Sequence, residues 1–190
     1  MSQFIKRAFG AAALAVLPLV AACGQAGQED QSVQATKEEK ASTLAGALNS
    51  EGNMTKLQGA LAKSELTGVF DGPGSYTLLA PNDAAFTALG EEGEALLDEE
   101  QHPLLVGLLR EHMLPGHVTP ELIAEAIKAK GGPVTMTTLG NGKLTFTQDG
   151  DSISVSLEDG TTASFTGTPI ATSNGVLIPL DAVLVPKDEG

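Results

Sequence analysis

The chain has 190 residues and a formal net charge of −13, with 42% hydrophobic residues, no tryptophan and one cysteine. This length suits one ordinary domain and is too short for two comfortable ones. The acidic balance argues against nucleic acid as a partner, because phosphate binding requires a basic face. A single cysteine excludes an intrachain disulfide.

The N-terminus has the organisation of a secretory signal peptide. Lys6 and Arg7 form a short positive region, and the apolar run Phe9–Ala22 follows it. Pro18 and the short length of the run argue against a membrane-spanning helix, which needs roughly 20 apolar residues. We therefore predict a signal peptide over residues 1–22.

The end of this segment, Val20-Ala21-Ala22-Cys23, resembles the lipobox of bacterial lipoproteins. The resemblance implies cleavage between Ala22 and Cys23 and a diacylglycerol on the cysteine thiol. The acyl chains would then hold the protein on a membrane, at about 0.8 kcal/mol per buried methylene. Gly24 carries no inner-membrane retention signal of the aspartate kind, so we expect the outer membrane or the cell surface. The alternative is an ordinary cleavage site beside a free cysteine.

The next segment has the composition of a tether. Residues 23–41 are rich in Gln, Glu, Ala and Ser and contain one strongly apolar residue after the cysteine, Val33. Such a segment cannot bury enough apolar area to offset the entropy lost on ordering. We predict a flexible acidic tether over 23–41 that lifts a domain, residues 42–187, off the bilayer.

Short helices and one buried strand are predicted at the start of this domain. Thr43 is placed to cap a helix through Leu48, and a second helical face carries Met54, Leu57 and Leu61. A Gly-Pro-Gly loop follows. The apolar run Tyr76–Ala80 then predicts a buried strand that Pro81 ends, and Asn82 or Asp83 can accept hydrogen bonds from the free amides of the next helix.

Two longer helices follow in the pattern. One runs from about Asp98 to Met113, with Pro103 tolerated in its first turn. Its apolar face carries Leu104, Leu105, Leu108, Leu109 and His112. The other begins at Thr119-Pro120, a cap and a proline at the first helical position, and ends at Gly131-Gly132.

After Gly132 the apolar period drops to two. Alternating positions run from Val134 to Thr138, and Asn141-Gly142 marks a tight hairpin turn. Further turns at 149–151 and 159–160 separate more strands, and the apolar run 176–185 predicts a closing strand. Helices first and an antiparallel meander afterwards define an α+β fold.

Three blocks of the sequence resemble the fasciclin-like adhesion domain. They are LLAPNDAAF (78–86), LLREHMLPGHVTPELI (108–123) and TSNGVLIPLDAVLVP (172–186), and together they cover essentially all of 42–187. The resemblance implies a compact β-wedge of two small sheets with helices packed around it. It also implies an extracellular or membrane-anchored module, several relatives of which bind matrix proteins, glycans or cell-surface receptors.

The sequence departs from the family pattern at three places. Glu111 stands where the family has the tyrosine of a Tyr-His pair, and Ile178 stands where the last block has a histidine. Pro169-Ile170 holds the place of the Asp-Ile motif that some animal members use for integrin contact. Integrin-type recognition is therefore not expected.

The resemblance singles out His112, Asn82, Asp83, Asn174 and Gly175 as structural or binding residues. His112 lies on an apolar helical face, so we expect a buried ring, and a buried ring needs a hydrogen-bond partner. The family pattern of a histidine in one block and a polar pair in another suggests that these blocks meet. We predict that His112 bonds the Asn82–Asp83 segment and ties the long helix to the first strand. The alternative places His112 in a binding surface.

No catalytic or cofactor motif is found in the sequence. Its histidines lack the spacing of a zinc helix, and neither a G-x-S-x-G elbow nor a phosphate loop is present. Asp149 and Asp151 flank a glycine but lack the later glutamate of a calcium loop. We therefore expect a non-enzymatic, cofactor-free monomer that meets the membrane through lipid on Cys23 and binds a protein or glycan surface. The alternative is an envelope domain that binds a small apolar or glycan ligand, or that assists an envelope complex.

Overall fold

The computed structural model describes residues 36–39, 42–96, 98–158 and 160–186. The predicted signal peptide, the lipidation site at Cys23 and most of the predicted tether lie outside these residues. Within the described part of the chain, none of the helices combines the length and the apolar character that crossing a bilayer requires.

The described residues form six helices, two short 3-10 turns and nine strands. The helices are α1 Leu44–Ser50, α2 Thr55–Lys63, α3 Asp83–Ala88, α4 Glu91–Ala95, α5 His102–Glu111 and α6 Pro120–Lys130, with 3-10 turns at Leu66–Val69 and Glu99–Gln101. The strands are β1 Lys37–Glu39, β2 Tyr76–Pro81, β3 Met113–Pro115, β4 Val134–Thr137, β5 Lys143–Asp149, β6 Ser152–Ser156, β7 Thr162–Ser164, β8 Ile170–Thr172 and β9 Gly175–Leu180.

The strands form two small sheets. The first has the order β1-β8-β9-β2-β3, and the second has the order β4-β5-β6-β7. The second sheet is the antiparallel meander that the alternating sequence predicts. The first sheet is mixed, because β2 and β9 pair in parallel from Tyr76–Gly175 to Pro81–Leu180 and β1 is parallel to β8. The predicted fold class, α+β with two small sheets and packed helices, is confirmed.

The first sheet separates two apolar cores. Leu78 of β2 and Leu177 of β9 point into a core shared with α1, α2, α3 and α5. Leu79 and Ile178, one residue further along, point into a core shared with α6 and the second sheet. Strands buried on both faces are continuous apolar runs rather than alternating ones, which is the pattern of β2 and β9.

Local signals placed several element ends correctly. Thr43 accepts a hydrogen bond from the Gly46 amide at 3.2 Å at the start of α1. Thr119 accepts from the Leu122 amide at 3.4 Å at the start of α6, and Gly131 ends that helix with φ of 71°. Asn141 has a positive φ of 73° in the predicted hairpin turn, where a side chain is uncommon and Asn is tolerated best.

The helix predicted from Asp98 to Met113 is shorter in the structure. It divides into a 3-10 turn and α5, which begins at His102 with Pro103 in its first turn. Met113 belongs to β3 and pairs with Leu78. Leu104 is 57% exposed, so it does not share the buried face of Leu105, Leu108 and Leu109 as predicted.

Two other boundaries differ from the prediction. The acidic run at 91–94, where the sequence pattern places no helix, forms most of α4, and Glu91 and Glu94 are exposed. The closing strand ends at Leu180 instead of continuing to Val185, although Val183 and Leu184 beyond it are buried. The apolar run is longer than the strand because Val183 packs in the first core and Leu184 in the second, although neither belongs to the strand.

A short part of the predicted tether, residues 36–39, is ordered. Lys37–Glu39 form β1, which pairs with Ile170–Thr172 of β8. Composition gave no signal for this strand, since three residues paired through their backbone need no apolar side chains. The flexible segment predicted over 23–41 therefore does not extend unbroken to the domain.

Candidate functional site

The residues that the family blocks single out lie at three junctions between elements. Asn82 and Asp83 lie between β2 and α3, His112 lies between α5 and β3, and Asn174 and Gly175 form the turn into β9. β2 and α5 contribute side chains to the same core. The junction after β2 and the junction after α5 therefore both lie at that core. Whether these groups can meet a ligand depends on which hydrogen bonds they already make.

Asn82 and Asp83 cap two different helices. Asn82 Oδ1 accepts a hydrogen bond from the Ala85 amide at 2.8 Å and caps α3, as predicted. The Asp83 carboxylate instead accepts from the Lys56 amide and the Thr55 hydroxyl, both at 2.8 Å, and caps α2. The N-cap residue of α2, Met54, makes no side-chain cap bond of its own. Asp83 therefore supplies the cap that α2 lacks.

The ionisation of Asp83 fits this role. Burial opposes the charged form, but the hydrogen bonds from Lys56 and Thr55 outweigh it and hold the pKa of the carboxyl below its ordinary value. A carboxylate near the first turn of a helix is also favoured by the helix dipole. The carboxylate is therefore a structural anion rather than a general base.

His112 is 1% exposed, so the predicted burial of its ring is confirmed. Its Nδ1 lies 2.9 Å from the Leu108 carbonyl, and its Nε2 accepts from the Leu184 amide at 3.0 Å. Because Nε2 must accept, the proton lies on Nδ1 and the ring is neutral. Burial lowers the pKa of His112, against opposing contributions from the Leu108 carbonyl and the Glu111 charge.

The predicted bond between His112 and the Asn82–Asp83 segment is wrong. The ring instead bonds the irregular segment after β9. Because β9 pairs in parallel with β2, this segment lies beside the end of α5. The end of α5 is nevertheless tied to β2, the strand of that prediction, because the His112 carbonyl accepts from the Leu79 amide at 2.9 Å. The link between α5 and β2 is thus a hydrogen bond between backbone groups, whereas the His112 ring bonds the segment after β9.

Asn174 uses both ends of its amide inside the fold. Its Oδ1 accepts from the Leu44 amide at 2.7 Å, and its Nδ2 donates to the carbonyls of Phe70 and Gly72 at 2.6 and 3.0 Å. This one side chain joins the start of α1, the loop before β2 and the turn into β9. It has little hydrogen-bonding capacity left for a ligand.

Gly175 is required by the close approach of β9 to β2. A Cβ at this position would lie 2.2 Å from the Tyr76 carbonyl oxygen, which is backbone of the neighbouring strand. The position therefore admits only glycine without a shift of the central pair of strands. Its role is packing of the backbone.

Glu111, at the place of the family's tyrosine, also serves the fold. Its carboxylate accepts from the Thr138 hydroxyl at 2.6 Å and from the Gly142 amide at 3.3 Å. A Cβ on Gly140 or Gly142 would collide with this carboxylate. Glu111 thus holds the turn between β4 and β5 against the end of α5, a contact that no sequence signal indicated.

The apolar cleft beside His112 is small. It is lined by Leu57, Pro81, Phe86, Leu105, Leu108, Leu109, His112 and Val183, and its volume is about 10 Å³. That is about the room of one water molecule, whereas pockets for small ligands usually enclose roughly 300–1,000 Å³. Within the described residues, the structure shows no group of three or more side chains able to hold a metal ion.

The outward face of the second sheet carries a different kind of surface, which we name the hydroxyl face. Two rows of residues cross the strands on this face. One row is Thr135, Thr145, Ser156 and Thr162, and the other is Thr147, Ser154 and Ser164. All seven are exposed or half-buried, and the alternate positions of β5 and β6 point into the core.

Among the described residues of β5, charged side chains lie at the two ends of the strand, and one further carboxylate, that of Asp181, reaches the edge of the face, where it accepts from the Ser164 amide at 2.7 Å. Lys143 begins β5, where it lies 3.8 Å from Glu158, and Asp149 ends it. Between them the hydroxyls contact one another, with 3.3 Å between the Oγ1 atoms of Thr135 and Thr145. The sequence signal for this face is the alternation of Thr and Ser with apolar residues along the strands.

A mixed sheet and a four-stranded meander with helices packed around them define a two-sheet α+β wedge. The family model of the fasciclin domain matches residues 52–186. The chain belongs to the fasciclin family, which is associated with adhesion and whose domains are typically extracellular or surface-associated.

A solved structure supports the same assignment of the fold. The chain is similar to the FAS1 domain pair of the insect cell adhesion molecule Fasciclin I, with a TM-score of 0.68 and 13% sequence identity. The match covers 77% of this chain and 52% of that one, so this chain spans about half the length of its relative. At this identity the likeness establishes a common fold.

Proposed function

We propose that this protein is a lipid-anchored, non-catalytic adhesion module of the cell envelope that binds a neutral glycan surface through its hydroxyl face. The observation that carries the proposal is the contrast between two sets of polar side chains. Those in the family blocks are committed to hydrogen bonds within the fold, as described for Asn82, Asp83, His112 and Asn174. Those of the hydroxyl face are exposed or half-buried, and their hydrogen bonds run to one another or to nearby carbonyls at the surface.

The charge of the protein supports a neutral partner. At a net charge of −13 the surface repels polyanions. The central positions of the hydroxyl face carry hydroxyl groups instead of charges, so a ligand without charge that binds there desolvates few carboxylates. Each hydroxyl can donate one hydrogen bond and accept others, as sugar hydroxyls do. Neighbouring strands lie about 4.8 Å apart, so the face offers a repeating array to a repeating polymer.

The same geometry favours a module without catalytic activity. The one buried imidazole donates to a carbonyl and accepts from an amide, so its two nitrogens are committed. The Asp83 carboxylate is committed to the start of α2. Neither group lies beside a cleft large enough for a substrate, and the small cleft also disfavours the alternative of a small apolar ligand.

The membrane anchor in this proposal rests on the sequence Val20-Ala21-Ala22-Cys23. An acylated cysteine followed by a polar segment would present the domain to a surface from the membrane. The typical location of fasciclin domains, extracellular or surface-associated, is consistent with an exported chain.

Binding is tested with the chain from Gly24 onward, which keeps β1, on a panel of insoluble neutral and acidic polysaccharides. We expect saturable binding to a neutral member of the panel. Thr135→Glu and Thr147→Glu, which place a carboxylate on an exposed position of the hydroxyl face, should reduce that binding at least about tenfold. Thr67→Glu, at an exposed position of a 3-10 turn outside this sheet, is the matched control.

Two results would contradict the proposal. Equal binding by the hydroxyl-face variants and the control would remove the face from the interaction. Turnover of a substrate that a single substitution abolishes would show that the protein is an enzyme.

A further inference from the structure

The segment that joins the tether to the domain is fastened at one carboxylate. The Thr36 amide donates to Glu121 Oε1 at 2.8 Å, and the Thr36 hydroxyl lies 2.8 and 2.9 Å from Oε1 and Oε2. Burial opposes the charge on Glu121, but hydrogen bonds from Thr119, from its own backbone and from Thr36 outweigh it and lower its pKa. Glu121 stands in the first turn of α6, so this carboxylate ties residue 36 to the body of the domain.

The strand that follows adds backbone bonds but buries little apolar surface. The Lys37 amide donates to the Pro169 carbonyl at 2.8 Å, and three residue pairs align β1 with β8. The side chains of Lys37 and Glu38 are exposed. A short edge strand whose described side chains are exposed belongs to the least stable part of a fold, which opens locally well before global unfolding.

We propose that residues 36–39 form a releasable latch that sets how far the domain can stand from the membrane. The part of this inference that concerns the membrane rests on the proposed acylation of Cys23. With the latch closed, the chain from Cys23 to Thr36 has 13 steps and reaches at most about 43–47 Å.

Release of the latch moves the first fixed point of the chain to Ser42. The carbonyl of Ser42 accepts from both the amide and the hydroxyl of Ser173, each at 2.9 Å. The chain from Cys23 to Ser42 has 19 steps and reaches at most about 63–68 Å. The latch therefore switches the anchored domain between two maximal reaches that differ by about 20 Å.

The latch itself is tested without a membrane, by hydrogen–deuterium exchange on the chain from Gly24 onward. Peptides covering 36–39 should exchange slowly in the parent chain and about tenfold faster in Glu121→Ala, because a hydrogen-bonded charged acceptor is lost. Glu125→Ala removes an exposed carboxylate one turn further along α6 and should leave this exchange unchanged. Thr36→Val removes the hydroxyl alone and should produce a smaller acceleration.

The variants also report whether the domain survives the change. Exchange over α6 and β9 should stay at the parent rate in Glu121→Ala. Exchange of 36–39 at the unprotected rate in the parent chain, or at the same protected rate in Glu121→Ala, would overturn the latch.

The reach is tested on the acylated full-length chain in phosphatidylcholine vesicles. A dye on Thr67→Cys, an exposed position, reports energy transfer to an acceptor lipid. Transfer should fall in Glu121→Ala and stay constant in Glu125→Ala. Constant energy transfer in Glu121→Ala, despite faster hydrogen exchange, would overturn the two reaches. A parent chain that fails to bind vesicles would overturn the proposed acylation of Cys23. In that case the hydrogen-exchange result alone decides whether the latch exists.

Discussion

The imidazole of His112 joins two parts of the chain that are 72 residues apart, and its charge state decides whether it can do so. The neutral ring accepts from the Leu184 amide through Nε2. A protonated ring carries N–H on both nitrogens and would set two donors against each other at this contact. The hydrogen bond to Leu184 therefore exists only with the neutral ring.

The free energy of unfolding should consequently fall as the pH drops below about 6.5. Burial lowers the pKa of His112 in the folded state, so just below the ordinary value of 6.5 the unfolded chain binds a proton that the folded chain does not. His112 thus contributes full stability above that value and loses it progressively below it. The carboxyls of Asp83 and Glu121, whose pKa values are lowered, titrate at lower pH. Urea unfolding at about pH 7.5 and about pH 5.5 measures the difference.

Two variants separate this contribution from that of other groups. His112→Ala should lose about 1–3 kcal/mol at neutral pH, because the buried Leu184 amide is left unpaired, and its stability should depend less on pH in this window. His117→Ala removes an exposed ring and should change stability by no more than about 0.5 kcal/mol. If His112→Ala keeps the parent's pH dependence, the assignment to His112 is wrong.

The range of each contact explains what the sequence could predict at this scale. Asn82 bonds an amide three residues away, and a local cap of this kind follows from residue type and position. Asp83 bonds Lys56, 27 residues back, and Asn174 bonds Phe70, 104 residues back. Such partners depend on how elements pack, which a single sequence does not specify.

At the scale of elements, the parallel pair of β2 and β9 sets the tightest packing requirement in the first sheet. Gly175→Ala would bring a Cβ within 2.2 Å of the Tyr76 carbonyl, and neither strand can move without disturbing both cores. We expect a loss of about 1–3 kcal/mol or more in urea unfolding.

A second glycine provides the matched control. A Cβ on Gly107, an exposed position within α5, would meet nothing within 4 Å. Gly107→Ala should therefore stabilise the protein by about 0.5–1 kcal/mol, because alanine is the better helix former. A Gly175→Ala variant as stable as the parent would show that β9 can shift away from β2.

Element type was predictable where the apolar period was sustained, as in α6 and the meander. It was not predictable for β1, β3 and β8, because three-residue strands are defined by backbone partners elsewhere in the chain. The parallel direction of β9 against β2 likewise depends on topology. A short apolar run is compatible with either direction.

At the scale of the whole molecule, the proposed lipid anchor would make the position of the domain depend on one thiol, that of Cys23. Intact-mass analysis of membrane-extracted protein should show an N-terminal Cys23 carrying acyl chains. Cys23→Ser should leave the precursor uncleaved or release the protein from the membrane fraction, because the acyl acceptor is lost. A serine variant that is both mature and membrane-bound would contradict acylation, and Ser32→Ala in the tether serves as the control.

The pairing of β2 with β9 also determines when the chain can fold. The two partners lie about a hundred residues apart, and β9 is the last element of the described residues in chain order. Closing so long a loop is slow relative to local helix formation. A chain that has emerged only as far as Ser173 has its helices and the meander but lacks the strand that separates the two cores. The apolar faces of the two cores stay without this strand until Gly175–Leu180 have been made, so the first sheet and both cores can close only after β9 is present.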